Sequence, residues 1–132
     1  MTPQTRRQVR ERAVSRCEYC RLPYWIELAG SFHLEHVVAR QHGGGDEAAN
    51  LAWACSRCNR HKGTNLSGVD PDSNQVVPLI HVRREVWEDH FEFIGAQIRG
   101  KTAVGRAPTW LLQMNADRRV ELRAQLIMDG LW

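Results

Sequence analysis

From Phe32 the chain alternates apolar and polar residues through Phe32-His33-Leu34-Glu35, the period of a strand with one buried face. A second short apolar stretch, Leu51-Ala52-Trp53-Ala54, follows Asn50 and predicts the returning strand. Gly43-Gly44-Gly45 lies between the two and supplies a flexible turn. Beyond Cys55 a short helix is expected to about Lys62, where Gly63 ends it. The order is strand, loop, strand, helix. Upstream, Thr2 and Pro3 form an N-cap and first-turn pair, predicting a helix to about Arg16 with a thin apolar stripe of Val9, Ala13 and Val14. Residues 23–30 read as a connector in which Tyr24, Trp25 and Ile26 make a packed turn or short helix.

Downstream of Gly63, residues 67–74 have loop composition. A strand is expected over residues 76–82, a short helix over 84–90, and a hairpin joining 91–94 to 97–99 about Gly95-Ala96. A last helix should start after Asn115 and end at Gly130, with Val120, Leu122, Leu126 and Ile127 facing inward. There is no internal repeat and no low-complexity segment. At 132 residues the expectation is one α+β domain, with a core at about residues 17–63 and an α/β extension at about 64–132.

Composition changes this picture little. Hydrophobic residues at 42% and charged residues at 25% are ordinary for a globular protein. No apolar run reaches the roughly 20 residues that span a bilayer. The N-terminus is polar and Arg-rich, without the apolar segment of a secretory signal, so no membrane partner and a cytoplasmic location are expected. The formal charge of +3 and pI near 8.9 lean mildly towards polyanions. The distribution says more than the total. Arg6, Arg7, Arg10, Arg12, Arg16 and Arg21 crowd the first part of the chain, and arginine suits bidentate phosphate contacts.

Cysteine adds the first candidate chemistry. The four cysteines form two pairs, Cys17-x-x-Cys20 and Cys55-x-x-Cys58. Each resembles a zinc-knuckle half-site, and together they complete a tetrahedral Cys₄ set for structural Zn²⁺. The 34 residues between the pairs exceed the usual ribbon spacing of about 15–20. The expected strand–loop–strand unit is therefore inserted between the knuckles. A redox role is disfavoured by two copies of the motif without a surrounding βαβ pattern.

Between and just after the knuckles stand Glu35-His36, Asn50, Asn59 and Lys62. Phosphodiester hydrolysis needs an activated water, a cation on the phosphate and stabilisation of the leaving oxygen. Histidine accepts a proton near neutral pH. A carboxylate and an amide oxygen are hard ligands suited to Mg²⁺ or Mn²⁺. A lysine or arginine can hold a phosphate oxygen. His33 repeats on the strand face of Glu35 and is a weaker candidate, as a second ligand or a DNA contact. His42 and His61 are near the site in sequence only, and His81 and His90 fit surface or core positions. The tryptophans, Trp53 above all, read as packing.

The ordered set Cys17-x-x-Cys20, Glu35-His36, Gly43-Gly44, Asn50-Leu51 and Cys55-x-x-Cys58-Asn59-x-x-Lys62-Gly63 resembles the HNH (His-Asn-His) endonuclease motif in its zinc-bearing form. The resemblance implies a ββα-metal (His-Me finger) core with His36 as general base and Glu35 and Asn59 as ligands of a catalytic divalent cation. It implies that Asn50 buttresses the loop and orients the base. Lys62 or a neighbouring arginine would contact phosphate. Stretches further on, Gly68-Val69-Asp70-Pro71, Trp87-Glu88-Asp89-His90-Phe91, Gly105-Arg106-Ala107 and Met114-Asn115, are also similar to bacterial HNH endonucleases, which bears on lineage more than mechanism. The sequence departs from the family where Glu35 replaces the commoner Asp and where Ala39 replaces a frequent Pro. The function implied is metal-dependent cleavage of DNA, with RNA as another substrate, by a monomer or homodimer. The rival is a non-catalytic zinc module that binds nucleic acid or protein, which has no use for the Glu-His-Asn-Asn set.

Overall fold

The computed structural model describes residues 1–26 and 32–132, so part of the expected 23–30 connector lies outside the described residues. The chain forms two compact units. The first comprises Met1–Leu66 with His81–Glu85, the second Ser67–Ile80 with Val86–Trp132. Helices mix with two-stranded antiparallel sheets, an α+β architecture with a cysteine cluster.

The first unit opens with helix α1 (Pro3–Arg12), capped by the Thr2 side chain, which accepts from Thr5 N at 3.1 Å. It ends four residues short of the expected Arg16, because Val14 and Ser15 take left-handed backbone angles (φ 54° and 55°). That turn redirects the chain into the first knuckle. Val9 and Ala13 are buried as expected, but Val14 is 76% exposed. Arg12 donates to the carbonyls of Ala48 and Leu51, and Arg6 lies 5.4 Å from the Trp53 ring centroid.

Strand β1 (Phe32–His36) pairs with β2 (Leu51–Cys55) in the register Phe32↔Cys55 to His36↔Leu51, and helix α2 (Ser56–Lys62) follows directly. All of β2 is buried. Trp53 is 4% exposed against Phe32, the packing role expected of it. The loop between the strands carries short 3₁₀ turns at Arg40–His42 and Ala48–Asn50, with Gly43 at φ 90° closing the first. Gly44 is required sterically, since a Cβ there would lie 1.7 Å from the Val38 carbonyl oxygen. A second tie runs through Glu18, which is buried, accepts from Trp53 N at 2.8 Å and forms an ion pair with Arg83. Burial lowers the Arg83 guanidinium to about 10.

The second unit is built on two hairpins and three helices. Residues 67–69, expected as loop, are strand β3 (Ser67–Val69), and its partner β4 (Val76–Pro78) is shorter than the strand expected over 76–82. Helix α3 (Trp87–His90) leads into β5 (Phe91–Ile94) and β6 (Gln97–Gly100), the expected hairpin. Helix α4 (Ala103–Leu111) had no sequence expectation. Its Gly105 allows close approach to the chain at His90, whose carbonyl oxygen would be 2.0 Å from an added Cβ. Helix α5 (Asp117–Met128) buries Leu126 but leaves Ile127 43% exposed, so Ile127 does not face inward as expected. Arg119 and Arg123 are buried there, donating to the carbonyls of Leu112, Met114 and Ala96.

A buried carboxylate organises the turn between β3 and β4. Asp70 is fully buried, receives Nε and Nη2 of Arg106 at 2.9 and 3.0 Å, and accepts from Ser73 Oγ at 2.7 Å. Hydrogen bonding from Arg106, then from Ser73, holds the Asp70 carboxyl well below the usual range. A carboxyl depressed by folding stabilises fully above its unfolded value of about 3.9 and loses that contribution as pH falls towards the folded value. Thermal melts at pH 6 and pH 3 should therefore show acid destabilisation of the wild-type chain. Asp70→Asn should melt lower at pH 6 and lose less on acidification. Equal acid sensitivity in the two proteins would remove Asp70 from the account.

Candidate active site

The two knuckles bring all four cysteines together from the loop after α1, the end of β2 and the start of α2. Their Sγ atoms lie within 4.8 Å of one another and each cysteine is buried and free of disulfide bonding. Cys20 Sγ and Cys55 Sγ are 3.8 Å apart. A tetrahedron with Zn–S bonds of about 2.3 Å sets its sulfurs about 3.8 Å apart, so the geometry fits zinc. Cys20 N donates to Cys17 Sγ at 3.5 Å and Cys58 N donates to Cys55 Sγ at 3.4 Å. Such bonds favour sulfur acceptors carrying negative charge. Burial pushes the Cys17 thiol up, and contacts with the other three cysteines push Cys58 up. Cys55 moves down, chiefly through its contact with Cys17. Four buried thiolates repel one another, and a bound cation relieves that cost.

A cleft of about 560 Å³ opens beside the hairpin, and Glu35, His36 and Asn59 all line it. The end of β1 delivers the first two, while α2 delivers Asn59 from the residue after Cys58. Arg40, Gln41 and Thr64 complete its polar wall. Asn50 is buried outside this lining. Its Oδ1 accepts from Val38 N at 3.0 Å, and its Nδ2 donates to the carbonyls of Val38 and Gly45, each at 2.9 Å. One amide thus ties Val38 and Gly45 together within the loop that follows His36.

Glu35 is 3% exposed, and Tyr19, one of the two residues between Cys17 and Cys20, donates its hydroxyl to Oε2 at 2.8 Å. Lys62 Nζ lies 2.6 Å from Oε1 and donates to the Val37 carbonyl at 2.9 Å. Burial pushes the Glu35 carboxyl up, while the Lys62 ammonium acts in the opposite direction. Lys62 is 1% exposed and does not line the cleft, so its placement differs from the phosphate contact expected of it. The reason is electrostatic: a buried carboxylate demands a countercharge, and the lysine one helical turn after Cys58 reaches it. The set still fits a divalent cation. A carboxylate has about four lone-pair sites, of which two are used here, and the Asn59 amide offers a second hard oxygen.

His36 Nε2 lies 2.7 Å from Asp46 Oδ1. Asp46 in turn receives Arg40 Nε at 3.1 Å and Arg40 Nη2 at 2.9 and 3.0 Å. Hydrogen bonds from His36, then Arg40, hold the Asp46 carboxyl below its ordinary value. His33 lines another cleft, with Phe32, Leu34 and the start of α1, and is not brought to Glu35, His36 and Asn59. His42 Nε2 meets the Thr64 carbonyl, and His90 Nδ1 meets Thr102 Oγ1. Asp46 and Tyr19 were not singled out in the sequence. The only hint of Tyr19 was its position inside a knuckle, and Asp46 had none beyond following the glycines.

Among the described residues no helix is long and apolar enough to cross a membrane. Comparison with curated proteins and with solved structures gives no match. The family model described as HNH endonuclease matches residues 17–65, the stretch holding the four cysteines, the β1–β2 hairpin, α2 and the cleft residues. The match to the HNH endonuclease model and the four cysteines positioned to form a zinc site thus fall on the same stretch of the chain.

Proposed function

We infer that the protein is a metal-dependent endonuclease that hydrolyses phosphodiester bonds in DNA. The observation that carries this is the convergence of Glu35, His36 and Asn59 on one cleft within the stretch that matches the HNH endonuclease model. In this reading β1, β2 and α2 form a ββα-metal core, stapled by zinc at Cys17, Cys20, Cys55 and Cys58. Glu35 and Asn59 would hold Mg²⁺ or Mn²⁺. When bound, such a cation would supply positive charge to the scissile phosphate.

The chain's own groups do the rest. His36 accepts a proton from the attacking water, whose oxygen adds to phosphorus as the bond to the leaving oxygen breaks. Asn50 holds the loop that follows His36. Lys62 and Tyr19 fix the Glu35 carboxylate from behind, so that its orientation does not depend on solvent. Arg7 and Arg10 on the exposed face of α1, with Arg57 and Arg60 on α2, attract the phosphate backbone without reading sequence.

End-labelled DNA and RNA duplexes, incubated with Mg²⁺ or Mn²⁺ and with excess chelator, test the reading. DNA cleavage that requires the cation is the expected result. Cleavage of RNA alone would move the substrate class. Binding to both without cleavage under any cation would leave a zinc-stapled binding module instead.

A further inference from the structure

The His36–Asp46–Arg40 arrangement joins an exposed ion pair to the ring of the candidate base. An isolated surface pair between Asp46 and Arg40 would contribute little and would leave each side chain free to move. Here two residues bond the carboxylate, and the backbone beside it is held as well. Arg40 reaches it through both Nε and Nη2, and Arg40 Nη2 meets both of its oxygens. The preceding residue, Gly45, has its carbonyl bound by the buried Asn50 amide. Oδ1 of Asp46 then lies 2.7 Å from Nε2 of His36, a residue that lines the cleft. A carboxylate only accepts, so the ring nitrogen facing it carries the hydrogen. The other nitrogen, Nδ1, makes no hydrogen bond among the described residues. The partner of one imidazole nitrogen decides the state of the other.

We propose that Asp46 is the positioning residue for His36, holding the imidazole in the Nε2–H tautomer so that Nδ1 is the nitrogen that receives the proton from water. This rests on the reading of His36 as the base. The proton balance is simple. Water gives one proton to Nδ1, its oxygen forms the new bond to phosphorus, and the bond to the leaving oxygen breaks. The imidazolium, now carrying hydrogen on both nitrogens, keeps the Asp46 carboxylate as its counter-ion until it gives up the Nδ1 proton to the leaving oxygen or to water. Asp46 touches no substrate in this scheme. Arg40 keeps the carboxylate turned towards the ring, and Asn50 keeps the loop that carries it in place.

Imidazole ¹⁵N NMR of the full chain reads the tautomer directly and needs no substrate. The His36 signals are identified by their loss in His36→Ala. In the wild type they should show a protonated Nε2 and an unprotonated Nδ1, and in Asp46→Ala the two forms should mix. Steady-state cleavage by Asp46→Ala should show kcat at least about tenfold lower with KM within about twofold. Asp46→Glu, which keeps the carboxylate, should recover part of the loss, and both variants should melt close to the wild type. A His36 that keeps its Nε2–H tautomer in Asp46→Ala overturns the proposal, whatever the rate. So does a loss confined to KM. Failure of the underlying reading has a different signature: His36→Ala cleaves at the parental rate while the tautomer still responds to Asp46.

Discussion

Cys58→Ser is expected to release zinc and to unfold residues 17–65 as a cooperative unit. The knuckles supply what the hydrophobic residues of this stretch do not. Its core is short, built from Tyr19, Leu22, Phe32, Val37, Leu51 and Trp53 around the four buried cysteines. Structural zinc contributes about 10–16 kcal/mol to the folding of small finger peptides. Whole domains are stable by about 5–15 kcal/mol, so loss of one ligand removes an amount comparable to the total. The damage reaches the cleft by two routes. Cys17 and Cys20 flank Tyr19, which holds Glu35, and Cys58 precedes Asn59 in α2. Elemental analysis should give one zinc per wild-type chain and substoichiometric zinc in the variant. Amide exchange should lose protection across β1, β2 and α2. Full protection in a zinc-free chain would show that the sulfur cluster is packing and not a metal centre.

His36→Ala should lower cleavage by about 10²–10⁴-fold, the range that general-base catalysis contributes. Its effect on folding should be small. The His36 side chain is 19% exposed, and its charged partner Asp46 is 46% exposed, so their contact is a solvent-screened surface interaction that adds little to stability. Nucleic-acid binding should persist, because the exposed arginines of α1 and α2 are untouched. A loss of binding equal to the loss of rate would mean that the imidazole holds substrate, and the base would have to be sought elsewhere. Lys62→Ala is a poor substitute for this test. It would strand the buried Glu35 without its countercharge, and removal of one partner of a buried pair costs about 3–5 kcal/mol.

The β1–β2 hairpin, α2, both knuckles and the β5–β6 hairpin were legible because local signals agreed there. Strand alternation, glycine turns, paired cysteines and a terminal Gly63 all indicate the same elements. Helix α4 was hidden for the opposite reason. Gly105 and Pro108 both disfavour a helix interior, yet both are buried, and Gly105 is the residue that lets the helix approach the backbone at His90. Strand β3 is only three residues long and one of them is glycine, too short for a period to register. In α5 the inward stripe includes Arg119 and Arg123, whose guanidinium groups serve backbone carbonyls, and hydrophobicity alone cannot find such residues.

At the candidate site the residue types were readable and their partnerships were not. Glu35, His36 and Asn59 share a cleft, but nothing in the spacing shows that Lys62 turns inwards to Glu35 or that Asp46 reaches back to His36. Both contacts depend on where a loop returns in space. The arginines divide in the same way. Arg12 and Arg16 are tied to backbone carbonyls, whereas Arg7 and Arg10 remain exposed on α1. A run of like charges along a sequence does not reveal which members the fold consumes.

The most direct test is cleavage of supercoiled plasmid in Mg²⁺ or Mn²⁺, with wild type and His36→Ala at equal concentration and equal zinc content. A divalent-cation-dependent nuclease with His36 as its base gives nicked or linear product from the wild type, none with chelator, and at most a trace from the variant. Equal cleavage by both proteins, or none by a folded, zinc-loaded wild type with any divalent cation, would contradict that reading.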